Sequence, residues 1–125
     1  SSAWRGSVAV INFWYSACPP CRAEATDLQA LHEEFPEVYF LGVNPRDEVS
    51  AANAFVDTFA ITYPNVLDTN ATIVADLQGK VPLQAMPTTI VIDPQGRIYG
   101  RILGRITPSV LRGMIEDARA EAGDG

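Results

Sequence analysis

The sequence predicts an α/β fold in which a central mixed β-sheet is flanked by helices. Three observations predict it. Two nearly continuous apolar runs are typical of buried strands, and apolar residues at helical spacing lie between them. The chain ends with a predicted strand, a turn, a second strand and a helix. A chain of 125 residues with 47% hydrophobic residues is sufficient for one domain, over residues 1–125, with its own core.

The first half predicts a βαβ unit. The apolar run over residues 8–14 is nearly continuous rather than alternating, which is typical of a central strand buried on both faces. Leu28, Leu31 and Phe35 then recur at helical spacing before Pro36, so we expect a helix over residues 19–34. A second buried strand follows at residues 38–43. Because the crossover is right-handed, the two strands are expected to be parallel.

A central insertion separates this unit from the C-terminal part of the chain. Its first segment is a predicted helix whose core face consists of Val49, Ala52, Phe55, Val56 and Phe59. An extended segment follows at residues 62–67. A shorter helix that holds Ile73, Val74 and Leu77 and a loop over residues 79–82 complete the predicted insertion.

The C-terminal part predicts a β-hairpin and a final helix. Residues 88–93 form a predicted third strand, and the turn chemistry of residues 93–96 returns the chain as a strand over residues 97–103. Thr107 before Pro108 marks the start of the helix, because threonine caps and proline favours the first helical position. The predicted core face of this helix consists of Val110, Leu111, Met114, Ile115 and Ala118.

Composition excludes several classes of partner. Nine basic and 15 acidic residues give a net charge of −6, so we expect no binding to nucleic acid or to anionic membranes. No apolar run approaches the ~20 residues that span a bilayer, and a soluble polypeptide is expected. Because the chain starts at Ser1 without a methionine, we expect a mature or trimmed domain whose precursor can carry a signal peptide or an anchor.

The two cysteines form a single CxxC motif. Cys18 and Cys21 lie between a buried strand and the first turn of a helix, a context that favours a redox-active dithiol. A zinc site needs further ligands, and the one histidine, His32, lies well down the helix, so we expect neither metal nor cofactor. A purely stabilising disulfide is the alternative, but closing so short a loop contributes only about 2 kcal/mol.

Position assigns different roles to the two thiols. Cys18 faces unpaired backbone N–H groups and the positive end of the helix dipole, so we predict that it is the solvent-accessible nucleophile. Cys21 is expected to be nearly buried and to resolve the mixed disulfide. Pro19 and Pro20 supply no N–H group to the Cys18 sulfur, which argues against a strong oxidant.

Two segments resemble a known family. Residues 12–24, with the sequence Asn-Phe-Trp-Tyr-Ser-Ala-Cys-Pro-Pro-Cys-Arg-Ala-Glu, and residues 86–97, which begin Met-Pro-Thr-Thr, resemble the TlpA/ResA-like branch of the thioredoxin superfamily. The resemblance covers essentially the whole chain. It implies a thioredoxin fold, an extracytoplasmic location in the periplasm or cell envelope, and thiol–disulfide oxidoreductase activity, most simply as a protein-disulfide reductase. Many members serve cytochrome c maturation.

The resemblance also implies partners and a substrate site. The expected partners are protein disulfide substrates and a membrane or soluble thiol–disulfide electron donor, and we expect a monomer. The Met86–Pro87 peptide bond is implied to be cis and to lie beside the cysteines, where the backbone of Met86 pairs with an extended substrate segment. From the sequence itself, Phe13, Trp14 and Tyr15 are expected first as core and wall of the site, and an exposed Trp14 or Tyr15 that contacts substrate is the alternative. Pro19 and Pro20 are also predicted to contact substrate.

Glu24 matches the acidic residue that ResA-like proteins carry three positions after the second cysteine. The match implies that Glu24 assists deprotonation of Cys21, whereas a first-turn carboxylate that complements the helix dipole is the alternative.

Asn12 stands where cytoplasmic thioredoxins have a buried aspartate. The sequence departs from the family at Ala17, where a tryptophan is common, and at Thr26, where a proline is common.

Two other functions on the same fold compete with this one. A peroxiredoxin-like peroxidase shares the Tyr-Pro-containing insertion, but such enzymes place a threonine three residues before a single peroxidatic cysteine, where Tyr15 stands here. A copper chaperone needs two thiols and a well-placed histidine, conventionally with CxxxC spacing. Both stay as alternatives to the oxidoreductase.

Overall fold

The computed structural model describes residues 6–45, 47–67 and 87–124. In chain order its elements are β1 (Ala9–Phe13), α1 (Pro19–Glu34), β2 (Tyr39–Asn44), α2 (Val49–Thr58), β3 (Asn65–Leu67), β4 (Thr88–Ile92), β5 (Ile98–Leu103) and α3 (Pro108–Asp124). The strands form one sheet in the order β3-β2-β1-β4-β5. β1, β2 and β3 are parallel, whereas β4 is antiparallel to both β1 and β5. The predicted mixed sheet with β1 at its centre is confirmed.

Helix α1 has the predicted bounds. Cys18 is its N-cap residue, and the prolines that follow occupy the first two helical positions, where a missing N–H group costs no hydrogen bond. The helix ends at Glu34, and the Phe35 N–H group still donates to the Leu31 carbonyl. Because Pro36 cannot continue the hydrogen-bonding pattern, the chain leaves the helix and enters β2.

The core lies on both faces of the sheet. Because strand residues alternate between faces, Val10 and Trp14 of the β1 segment belong to a cluster with Leu28 of α1, Phe55 of α2 and Leu111 of α3. The cluster on the opposite face consists of Ala9, Ile11, Phe13, Val43, Ile90 and Ile92. Asn12, also buried, therefore lies on the face of the sheet that α1 covers.

Some predictions about single elements were wrong. Val49 and Val110 are 60% and 52% exposed, although both were assigned to core faces. Each lies in the first turn of its helix, which extends beyond the apolar cluster, whereas Leu111, Ile115 and Ala118 are fully buried as predicted. The strand predicted as third is the fourth, because residues 65–67 pair with β2.

The described part of the insertion consists of α2 and β3. The predicted helix with Ile73, Val74 and Leu77 and the loop over residues 79–82 lie outside the described residues. Among the helices that the structure describes, none is both long enough and apolar enough to cross a bilayer.

Candidate active site

The two cysteines form a disulfide at the N-terminus of α1. Their Cα atoms are 5.2 Å apart, within the usual range for a disulfide. Cys18 has an extended backbone conformation, and its Sγ accepts a hydrogen bond of 3.1 Å from the Cys21 N–H group. Because Pro19 and Pro20 have no N–H group, the third residue of the helix supplies this bond. The geometry agrees with the prediction that the prolines withhold donors from the Cys18 sulfur.

Both cysteines are buried in this disulfide form. Cys18 is 1% and Cys21 2% exposed, so the prediction that Cys18 is solvent-accessible is wrong for the oxidised state. The Cys18 sulfur is bonded to Cys21 and accepts its N–H group, so it lies against the helix end rather than pointing outward. A difference in reactivity between the two reduced thiols stays a prediction.

Glu24 is fully buried one turn after Cys21. It lies beyond the first turn of α1, which has no acidic residue, so the alternative of a helix-dipole carboxylate is wrong. Its Oε1 accepts a hydrogen bond of 2.9 Å from the Ile106 N–H group, and its Oε2 accepts one of 2.8 Å from Asn12 Nδ2. Burial raises the pKa of Glu24 to about 7, although both hydrogen bonds and the charge of Arg105 oppose this shift.

A polar network holds this carboxyl group in place. Asn12 lies opposite Thr89 in the β1–β4 register, and Asn12 Nδ2 also donates to Thr89 Oγ1 at 3.1 Å. The network thus joins β4, β1, α1 and the segment before α3. Sequence reasoning missed Thr89 and Ile106. A polar residue at the start of an apolar strand was a usable signal for Thr89, whereas the backbone N–H group of Ile106 leaves no signal in a sequence.

The space beside Cys21 is small. A cavity of about 10 Å³ is lined in part by Asn12, Cys21, Tyr63 and Asn65. This volume is at the lower limit for one water molecule and far below that of a small-molecule site, so it cannot hold an organic ligand. Burial raises the pKa of Tyr63, and the nearby charge of Glu24 adds to that effect.

The structure separates the predicted substrate-contacting residues. Trp14 is 3% exposed, its Nε1–H group donates to Asn65 Oδ1 at 3.1 Å, and its ring packs 4.3 Å from that of Phe55. The interpretation of Trp14 as core and wall of the site is therefore confirmed, and the alternative of an exposed Trp14 that contacts substrate is wrong. Pro19 is exposed and Pro20 half-buried beside the disulfide.

Pro87 lies at the edge of the sheet that carries the disulfide. It directly precedes β4, whose first residue, Thr88, pairs with Phe13 at the end of β1 that leads to the cysteines. The Pro87 carbonyl accepts a hydrogen bond of 2.8 Å from the Gly104 N–H group. Met86, and with it the Met86–Pro87 peptide bond, lies outside the described residues.

The surroundings of His32 do not resemble a metal site. The imidazole packs edge-on between the rings of Phe40 and Tyr63, with centroid distances of 5.4 and 5.6 Å. Within residues 6–45, 47–67 and 87–124, no three His, Cys, Asp or Glu side chains lie together as metal ligands.

Curated relatives of this chain carry names of thiol–disulfide enzymes. The thiol-disulfide oxidoreductase ResA of Halalkalibacterium halodurans is 31% identical over 119 residues, which are 94% of this chain and 65% of that protein. The thiol:disulfide interchange protein HelX of Rhodobacter capsulatus is 32% identical over 123 residues, 95% of this chain and 65% of that protein. This chain spans between 57% and 65% of the length of the first such relatives.

Solved structures and a family model agree with this similarity. A secreted thiol-disulfide isomerase from Corynebacterium glutamicum superposes with a TM-score of 0.84 at 32% identity, over 94% of this chain and 73% of that one. A thioredoxin family protein from Chlorobium tepidum superposes with a TM-score of 0.85 at 25% identity, over 94% of this chain and 83% of that one. The predicted thioredoxin fold and the resemblance to ResA are confirmed. The model described as the AhpC/TSA family matches residues 1–101, including both cysteines, and this chain belongs to that family.

Proposed function

We propose that this chain is a thiol–disulfide oxidoreductase that reduces protein disulfides through Cys18 and Cys21. The observation that carries the proposal is the disulfide at the N-terminus of α1, with a buried carboxyl group one helical turn away. The relatives named thiol-disulfide oxidoreductase and thiol:disulfide interchange protein support it, since they match 90% or more of this chain.

The reaction proceeds in two exchanges. In the reduced protein the Cys18 thiolate attacks one sulfur of a substrate disulfide, the substrate S–S bond breaks, and the released substrate thiolate takes up a proton. Cys21 then loses its proton and attacks Cys18 Sγ, which breaks the mixed disulfide and releases the second substrate thiol. The substrate gains two electrons and two protons, and the Cys18–Cys21 disulfide forms.

Glu24 is proposed as the proton acceptor for Cys21. Residues three apart lie on the same face of a helix, and a pKa of about 7 allows this carboxyl group to exchange protons near neutral pH. We expect Glu24→Gln to slow release of the mixed disulfide more than its formation and to lower the pKa values of the cysteines. Stopped-flow kinetics across pH separates the two steps, and an unchanged rate of release would remove Glu24 from the mechanism.

The substrate-binding surface is proposed to lie around the exposed end of α1. Pro19 and Pro20 lie between the two cysteines, and Pro87 lies at the same edge of the sheet. The backbone of Met86 is proposed to pair with an extended segment of the substrate.

Location and partners are part of the proposal. The name of one structural relative, from Corynebacterium glutamicum, describes it as secreted, which supports an extracytoplasmic location for this chain. Protein disulfides are the proposed substrates, with a membrane or soluble dithiol as electron donor. A role in cytochrome c maturation, a monomeric state and a single domain over residues 1–125 stay predictions.

The reduction potential tests the direction of electron flow. We expect a value nearer to thioredoxin, at about −270 mV, than to the oxidant DsbA, at about −120 mV. The prolines leave few donors for the Cys18 thiolate, and the net charge of −6 disfavours an additional negative charge. Equilibration with dithiothreitol or glutathione buffers gives the potential. A value above about −180 mV would mean that the domain forms disulfides rather than reducing them.

A further inference from the structure

A solvent-exposed groove lies directly beside the active-site disulfide. It has a volume of about 300 Å³ and lies between the loop that precedes Cys18 and one face of α2. Ala17 and Arg22, which flank the CxxC motif in sequence, form one side, and Ala51, Ala54 and Thr58 contribute to the other. Ala17 directly precedes the attacking Cys18. Because consecutive Cα atoms are about 3.8 Å apart, the groove begins within one residue of that cysteine.

Among the described residues that line the groove, Arg22 is the cation. Its side chain is exposed, and its guanidinium group lies 5.2 Å from the centroid of the Phe59 ring and 5.9 Å from that of Phe55. These contacts, with a weak hydrogen bond of 3.3 Å to the Ser16 carbonyl, hold it across the groove. Among the described residues no carboxylate lies within ion-pair distance of Arg22, whereas Arg97, Arg112 and Arg119 each have one.

The carboxylate of Asp47, which contacts the groove residue Ser16, is already engaged. The Asp47 carboxylate accepts hydrogen bonds from the Ser16 N–H group at 2.6 Å and from Asn44 Nδ2 at 2.8 Å. It fixes the active-site loop and does not neutralise Arg22. Counting only the residues that the structure describes, the groove therefore offers small side chains and the Phe55 ring along its walls and the positive charge of Arg22, in a protein whose net charge is −6.

We propose that this groove binds the substrate segment next to the reactive cysteine and that Arg22 selects substrates with an acidic residue there. The inference rests on the proposed reductase function and adds a substrate class to it. Small walls admit a polypeptide backbone with a medium-sized side chain, and a guanidinium group binds a carboxylate in two-point geometry. An exposed charge pair changes binding about two- to fivefold, so the groove discriminates among substrates rather than deciding whether they react.

Disulfide-linked dimers of acetyl-X-Ala-Cys-Ala-amide, with X as Asp, Asn or Lys, test this selectivity. Each is reduced by the reduced protein at low ionic strength, and each rate is divided by the rate with neutral 2-hydroxyethyl disulfide. This ratio removes any effect of a substitution on the reactivity of Cys18. We expect the Asp peptide to react about two- to fivefold faster than the Asn peptide, the Lys peptide to be slowest, and 0.5 M salt to reduce the difference.

Two variants and two controls locate the effect. Arg22→Gln is expected to abolish the preference for Asp, whereas Arg101→Gln, which changes an exposed arginine on β5, is expected to keep it. Ala54→Glu places a carboxylate on the groove wall and is expected to abolish the preference, whereas the isosteric Ala54→Gln is expected to retain it.

Equal normalised rates for the three peptides, or a preference that survives Arg22→Gln, would overturn the proposal. Failure of the wild type to reduce even 2-hydroxyethyl disulfide would instead refute the proposed function. The neutral probe therefore separates the two failures.

Discussion

Replacing Glu24 with glutamine is predicted to change how the stability of the oxidised protein depends on pH. The carboxyl group is fully buried, and burial raises its pKa from 4.5 to about 7. The native protein therefore binds a proton at Glu24 more tightly than the unfolded chain does. Glutamine fills the same space without titrating, so a comparison of the two proteins isolates this one group from all other carboxylates.

The size and sign of the effect follow from the two pKa values. Below pH 4.5 the group is protonated in both states, and its contribution to stability is fully present. As the pH rises towards about 7, the unfolded chain ionises first, and that contribution is lost. At about 1.4 kcal/mol per pH unit, the loss is about 3 kcal/mol. The free energy of unfolding of the wild type is thus expected to fall by about 3 kcal/mol relative to Glu24→Gln between pH 4 and pH 8.

Urea unfolding monitored by circular dichroism, with the disulfide intact, measures this difference. With a urea m-value of about 1–3 kcal/mol/M, 3 kcal/mol moves the relative midpoints by about 1 M or more. The absolute stability of the variant is not the test, because glutamine offers one acceptor where Glu24 offers two to Asn12 and Ile106. Midpoints that shift in parallel with pH in both proteins would show that Glu24 is not titrating near neutrality.

Further substitutions test the surrounding structure. Asn12→Ala removes a hydrogen bond that lowers the pKa of Glu24, so we expect that pKa to rise above 7, as measured by ¹³C NMR of the carboxyl group. Gly42→Ala is expected to destabilise the protein by about 1–3 kcal/mol, because a Cβ atom would overlap the side-chain oxygen of Asn65. Gly113→Ala, in open space within α3, is expected to stabilise it by about 0.5–1 kcal/mol, and an unfolding series that ranked these two glycines alike would contradict the packing described.

The fold was predictable from local signals. The prolines before Cys21 and after Phe35 bound α1, and the near-continuous apolar run predicted that β1 is central. The hairpin followed from the turn residues between β4 and β5, whose strands pair antiparallel as expected. The predicted burial of Val49 and Val110 was wrong. Periodicity identifies which face of a helix is apolar, but it does not show where the element that packs against that face ends.

That Cys18 and Cys21 pair at the N-terminus of α1 was also predictable, but the environments of the residues around them were not. CxxC spacing identified the cysteines. The burial of Cys18 follows instead from the disulfide, which holds its sulfur against Cys21 at the helix end. Burial by the folded structure raises the pKa of Glu24, and the hydrogen bonds that oppose this rise come from Asn12 on β1 and from the backbone N–H group of Ile106, 82 residues away. The burial of Trp14 depends on Asn65, another distant residue. Such contacts are formed by the tertiary fold and leave no periodic signal.

The central claim is that Cys18 attacks the substrate and Cys21 releases it. One experiment tests this claim directly. Reduced Cys21→Ser is reacted with a disulfide-bonded protein such as insulin, the reaction is quenched with acid, and the covalent adduct is mapped by mass spectrometry. We predict that a mixed disulfide accumulates on Cys18 in Cys21→Ser and that no adduct forms on Cys21 in Cys18→Ser under the same conditions. A stable adduct on Cys21, or reduction of insulin by Cys18→Ser at the wild-type rate, would contradict the assignment of roles.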